Sequence, residues 1–145
     1  MKIAQVCPRY KPFFGGIETH VEEISKRLAK MGWDVEVLTA DPTWRLKNSY
    51  HLTFGLVRYI SRNSFDIVHV HGYHALPAFQ VVMFCHPAKL VFTPHYKGYS
   101  HSHLRGLFHK IYKPLGRRLF LKADKVICVS SYERKKIQED FSIPA

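Results

Sequence analysis

Carboxylates are scarce in this chain: 11 Asp and Glu stand against 22 Lys and Arg over 145 residues, which leaves a formal charge of +11. So large an excess favours anionic partners, whether phosphates, nucleic acid or an acidic membrane face. Cysteine is sparse as well. Cys7, Cys85 and Cys128 are odd in number, far apart and set in apolar runs, the pattern of small buried hydrophobes rather than of a disulfide framework. Long apolar runs are missing too. The stretch Val81-Val82-Met83-Phe84-Cys85 falls far short of the ~20 residues that span a bilayer, so no membrane-crossing helix is expected. Met1 to Val6 reads as the start of a core strand without a leader pattern, and the expected location is cytoplasmic, extending at most to peripheral attachment at the inner membrane face. Three nucleotide and hydrolase signatures are absent: Gly-x-Gly-x-x-Gly, Gly-Lys-Ser/Thr and Gly-x-Ser-x-Gly.

What is present is the composition of one folded domain spanning residues 1–145. Apolar residues make up 46% of the chain, and a chain of this length buries roughly 70% of the surface it exposes when unfolded. The charge is unevenly laid out. Between Asp66 and Asp124 there is no carboxylate, while eight Lys and Arg and eight of the ten histidines fall there. The second half of the chain is therefore an anion-attracting surface.

Short strand-like runs alternate with helical periods. Strands are expected at Ile3 to Cys7, Asp34 to Thr39, Asp66 to Val70, Lys89 to Thr93 and Lys125 to Val129. Helices are expected at Gly16 to Met31, closed by Gly32, at Leu52 to Ser61 after the Asp41-Pro42 break, and at Ala75 to Cys85. A longer one runs from His103 to Lys122 with a bend at Pro114, and the last ends near Asp140 after the capping box Ser130-Ser131-Tyr132-Glu133. Five strand-then-helix units imply a doubly wound, Rossmann-like α/β domain, with about five parallel strands and helices on both faces. Ligands of such sheets lie beyond the carboxyl ends of the strands, where the strand order reverses.

Candidate site residues follow from that placement. Gly15 and Gly16 end the loop after the first strand and open a helix; positive φ there would let free N–H groups meet a phosphate. His69 and His71 share a face of the third strand and His74 lies just past it. With His95 and the His101/His103 pair they could hold zinc, although no carboxylate base is near in sequence; the alternative for His69 is a core histidine with satisfied nitrogens. His95, after Val91-Phe92-Thr93-Pro94, is placed to bond sugar hydroxyls if neutral or to steady a phosphate if charged. Leu104 to Lys122 interleaves leucines with Arg105, Lys110, Lys113, Arg117 and Arg118, which fits either an interfacial helix on anionic lipid or a sheet-covering helix with a wet basic face.

Four segments in order carry a family resemblance: Gly15-Gly16-Ile17-Glu18-Thr19-His20-Val21 running into Gly32-Trp33-Asp34-Val35; Asp66-Ile67-Val68-His69-Val70-His71; Val91-Phe92-Thr93-Pro94-His95; and Ala123-Asp124-Lys125-Val126-Ile127-Cys128-Val129-Ser130. The chain resembles the N-terminal, acceptor-side domain of the group 1, or family 4, retaining glycosyltransferases, one half of their GT-B fold. The resemblance implies a second domain of comparable size that binds most of a nucleotide-sugar donor and carries a Glu-x7-Glu element, absent here, so this chain alone should not turn over. It implies that Gly15 and Gly16 meet the donor diphosphate and that His95 contacts the transferring sugar or acceptor. Glu18, His20, His71 and His74 become acceptor-side candidates. His95 is followed by Tyr96 where many relatives have an aspartate. The implied reaction moves a hexose with retention to an acceptor, which could be lipid- or phosphate-linked, and calls for no cofactor and no metal ion. The rival from another class is a basic nucleic-acid-binding module, supported by net charge and by Tyr96, Tyr99, Phe108 and Tyr112 among the basic residues, but no nucleic-acid motif occurs and no nucleic-acid partner is expected.

Overall fold

The computed structural model describes residues 1–39, 45–46, 50–51, 54–98 and 103–143, with backbone alone at 45–46, 50–51, 54 and 103–112. The chain runs β1 (Lys2–Cys7), α1 (Gly16–Lys30), β2 (Asp34–Thr39), β3 (Arg45–Leu46), β4 (Tyr50–His51), α2 (Phe54–Arg62), β5 (Ile67–His71), α3 (Leu76–Phe84), β6 (Leu90–Thr93), α4 (His103–Lys122), β7 (Lys125–Val126) and α5 (Ser131–Phe141). Five strands form one parallel sheet in the order β2-β1-β5-β6-β7. The chain moves from β1 outward to β2 and then returns to the opposite side of β1. Strand order therefore reverses between β1 and β5, which is where sheets of this kind have their ligand crevice, beyond the carboxyl ends of the strands.

The pleat divides this sheet into two unlike faces. Ala4 and Val6 of β1, Val68 and Val70 of β5, and Leu90 and Phe92 of β6 join one apolar core with Leu56 and Ile60 of α2, Ala78, Val81 and Val82 of α3, and Leu119 and Phe120 of α4. The alternate positions Gln5, His69, His71 and Thr93 are buried on the opposite face. A parallel sheet covered on both sides is normally apolar on both. Here the second face, against which α1 packs, carries a polar row.

Local chemistry explains where the elements end. Gly32, at φ +85°, terminates α1: its N–H donates to Ala29 O at 3.0 Å while Trp33 N–H donates to Leu28 O at 3.3 Å, a Schellman closure that favours a residue without Cβ. Ser130 caps α5 by accepting Glu133 N–H on its hydroxyl at 3.1 Å. The reciprocal half of the expected capping box is redirected. Glu133 accepts from Val129 N–H at 2.6 Å and from Tyr96 N–H, so its carboxylate joins α5 to the loop after β6 instead of bonding Ser130. Capture of the Val129 amide also explains why β7 stops at Val126 rather than reaching Val129 as the apolar run suggests. The β3–β4 antiparallel ribbon was not legible in the sequence. The expected helix starting at Leu52 begins at Phe54, and Leu52 itself lies outside the described residues, as does the Asp41-Pro42 break. Pro114 sits inside α4, which is one uninterrupted helical segment.

An aromatic cluster ties the helices to the loops that build the crevice. Tyr73, just after β5, stacks on Phe120 of α4 with centroids 5.8 Å apart and meets Tyr96 and Phe141 at 5.2 Å each. Gly116 of α4 makes this approach possible, because a Cβ there would run into the Tyr73 hydroxyl and come within 2.8 Å of its ring. Gly116→Ala should therefore lower stability by about 1–3 kcal/mol through overpacking, read as a fall in the urea midpoint at unchanged m-value.

Candidate functional site

The site is assembled from the carboxyl ends of β5 and β6 and from the second turn of α1. On β5, alternation puts His69 and His71 on the polar face, with ring centroids 4.1 Å apart. Each leans toward a different neighbouring strand. His69 Nε2 meets the Thr93 hydroxyl of β6 at 2.8 Å, and His71 Nε2 meets Gln5 Oε1 of β1 at 2.8 Å. An amide oxygen only accepts, so His71 donates its Nε2–H to Gln5 and keeps a lone pair on Nδ1. That Nδ1 faces His95 Nε2 at 3.4 Å.

His95 leaves β6 in the left-handed region, at φ +50°. For a residue with a Cβ this conformation costs roughly 1–2 kcal/mol, so its surroundings must hold it. Pro94 precedes it, Pro94 O accepts Tyr73 N–H at 2.6 Å, and the buried Glu133 carboxylate accepts the next amide, Tyr96 N–H. Tyr96 is further pinned by its hydroxyl, which donates to Asp140 Oδ2 at 2.8 Å. His20 of α1 completes the group, its ring 5.1 Å from that of His95 and 5.7 Å from that of His71. Three imidazoles thus converge beside the carboxyl ends of β5 and β6.

Burial sets their charge. It is the largest influence on all three of His69, His71 and His95: His69 is lowered to about 4, His95 to about 4, and His71 well below the usual imidazole range, each pushed further by its neighbours. Burial lowers His20 too, against a weak opposing pull from Glu133. The cluster is therefore neutral at pH 7 and offers hydrogen bonds and lone pairs rather than positive charge. The cysteines add no nucleophile: burial pushes Cys7 up to about 12 and raises Cys85 and Cys128, so all three are thiols.

Residues 14–145 match the family described as Glycosyltransferase Family 4. The chain belongs to this family. No curated protein matches it.

Against this family 4 framework, the residues expected from sequence fall into four groups, the last being Gly15, Gly16 and Glu18. His20, His71 and His95 are brought together as described. His74 is exposed in the turn after β5, edge-on to the Tyr73 ring at 4.8 Å and outside the three-histidine group. The basic stretch divides: Arg117 and Arg118 are exposed on α4, Lys113 is half-buried, and the side chains of Arg105 and Lys110 lie outside the described residues, as do His101 and the His103 side chain.

The Gly15-Gly16 loop requires correction. Neither glycine adopts positive φ; Gly15 is extended at φ −168° and caps α1. Its lack of a side chain serves a different purpose. The Glu18 carboxylate folds back over it, and a Cβ at Gly15 would collide with Glu18 Oε2. Glu18 is buried and its Oε1 pairs with Arg9 Nε at 3.3 Å, so this carboxylate, expected on the acceptor side, sits on the first turn of α1, where negative charge is favourable. An added Cβ at Gly16 would meet nothing within 4 Å, which leaves the helix start open at that residue. Gln5, Thr93 and Glu133 were not singled out as site residues. The signal available for Gln5 is that it is the one polar residue of the expected strand Ile3 to Cys7, whereas Glu133 has only the spacing of a helix cap.

The depressed histidines predict a pH dependence with a definite sign. Their folded values lie below the unfolded value of about 6.5, so their contribution is complete above that pH and is lost as pH falls toward 4. His69, His71 and His95 together should cost about 3–4 kcal/mol of unfolding free energy between pH 7.5 and 5.5, the half-buried His95 contributing least. Urea titrations at the two pH values measure this, and His69→Gln should remove about a third of the difference. The carboxylates held low by ion pairs, Glu22 and Glu36, titrate below this window.

Proposed function

We propose that this family 4 domain is the acceptor-side half of a retaining glycosyltransferase that moves a hexose from a nucleotide diphosphate sugar to an acceptor hydroxyl. The observation that carries the reading is the convergence of His20, His71 and His95 at the topological switch point of a family 4 chain. In this reading a companion domain supplies most of the nucleotide-sugar contacts. The bond from the anomeric carbon to the diphosphate oxygen breaks, a bond to the acceptor oxygen forms on the same face, and the acceptor proton leaves with the diphosphate. Charge builds on the departing phosphate, and the open start of α1 at Gly16 is a preorganised place to meet it. The Glu18 carboxylate already covers Gly15, so Gly16 is the residue assigned to the diphosphate. Neutral His95 serves as a hydrogen-bond partner of the transferring sugar rather than as a phosphate-binding cation. His20 and His71 border the acceptor.

A lipid-linked acceptor at a membrane surface is the extension favoured by α4. Arg117 and Arg118 are exposed there together with Leu121, one turn further along. No described helix is long and apolar enough to cross a membrane. Surface attachment would rest on such basic and apolar side chains.

Two experiments test the reading. In the protein joined to its donor-binding domain, His95→Ala should lower kcat by about 100-fold or more with a smaller effect on KM, and NMR of the product should show the donor's anomeric configuration. Unchanged turnover would remove His95 from the reaction, and an inverted product would remove the retaining assignment. Charge reversal at Arg117 and Arg118 should weaken sedimentation with anionic vesicles; undiminished binding would discard the membrane-surface acceptor.

A further inference from the structure

We infer that His20, His71 and His95 form a binding site for a divalent late transition ion of the zinc class. The ligand atoms of the three residues lie within 4.8 Å of one another. Zinc–imidazole bonds of about 2.0–2.1 Å in tetrahedral geometry hold two nitrogens about 3.4 Å apart. His71 Nδ1 and His95 Nε2 stand 3.4 Å apart, long for a hydrogen bond and suited to a shared ion. The widest separation must close by about 1.4 Å, an adjustment within reach of the half-buried His20 side chain on α1.

Two further features distinguish this group from a chance cluster. His20 Nε2 is buried and without a hydrogen-bond partner, an unfavourable state that a bound ion would relieve. His71 has the outer hydrogen bond that metal-binding imidazoles usually have: Gln5 Oε1 accepts from Nε2, which fixes the tautomer and turns the Nδ1 lone pair toward His95. Three neutral nitrogens select zinc, cobalt or nickel over magnesium or calcium, which prefer oxygen.

Three protein ligands leave a fourth position facing the crevice. Both oxygens of the nearby Glu133 accept backbone N–H groups and Glu18 is paired with Arg9, so among the described residues no free carboxylate stands ready as a base for a metal-bound water. Bound zinc would therefore block the crevice rather than run hydrolysis. That consequence rests on the transferase reading; the binding itself does not.

The test titrates the untagged chain with Co2+, following the visible absorption of tetrahedral cobalt, and then displaces it with Zn2+. One cobalt per chain with a tetrahedral spectrum is expected, at a micromolar dissociation constant. His20→Ala, on a half-exposed helix face, should weaken binding by about 100-fold without unfolding the chain, and Gln5→Met should weaken it by about 10–100-fold. Absence of binding at millimolar cobalt, or affinity and spectrum unchanged in His20→Ala, would overturn the site. Zinc inhibition of the transferase is read separately: binding without inhibition keeps the metal site and counts against the sugar-contact role of His95.

Discussion

Everything at the crevice depends on one constraint: a sheet face that would ordinarily be apolar buries Gln5, His69, His71 and Thr93 together. Each of these groups would be costly to bury alone. Their register lets them bond one another, while Gln5 Nε2 stays buried without a partner. β1 and β5 pair Gln5 with His69, and β5 and β6 pair His71 with Thr93, so the side chains reach diagonally to close the Gln5–His71 and His69–Thr93 hydrogen bonds. Shifting any strand by one residue would send the histidines into the apolar core and valines toward α1. The polar row thus specifies the sheet register while it builds the site.

The same row decides the electrostatic character of the crevice. A chain of formal charge +11 would be expected to meet its ligand with cations, yet at the switch point it presents neutral imidazoles. The anion-attracting charge sits elsewhere, on exposed residues such as Arg117 and Arg118. Directional hydrogen bonding and long-range attraction are separated in space. Glu133 links the two halves of this design. It is buried, spends both oxygens on backbone amides, and anchors the amide that follows the left-handed His95. Its position in α5 means that the packing of the last helix reaches directly to the site.

Much of this was legible in the residues. Strand and helix alternation gave the parallel sheet, since Ile3 to Cys7, Asp34 to Thr39 and Leu90 to Thr93 are short apolar runs bounded by turn residues. His-Val-His on β5 announced a shared face by period two. Other features depended on contacts between residues far apart in the chain. Nothing local shows that Glu18 folds over Gly15, so the pair suggested positive φ where the backbone is extended and Gly15 gives the Glu18 carboxylate room. Glu133 has the spacing of a capping box, and only the fold brings Tyr96 N–H, 37 residues away, into its reach. The β3–β4 ribbon has two residues per strand, too few to leave a periodic signal. His74 and His71 look equivalent in sequence, but the pleat buries one and the turn exposes the other.

The central claim is that the Gln5 hydrogen bond fixes His71 as a neutral imidazole with its proton on Nε2 and its Nδ1 lone pair aimed at His95. Long-range 1H–15N NMR of the histidine rings at pH 7 reads this directly, because protonated and unprotonated ring nitrogens resonate far apart. The account predicts a protonated Nε2 and a bare Nδ1 for His71, with the tautomer scrambled in Gln5→Met. A charged His71, or one carrying its proton on Nδ1, would contradict it.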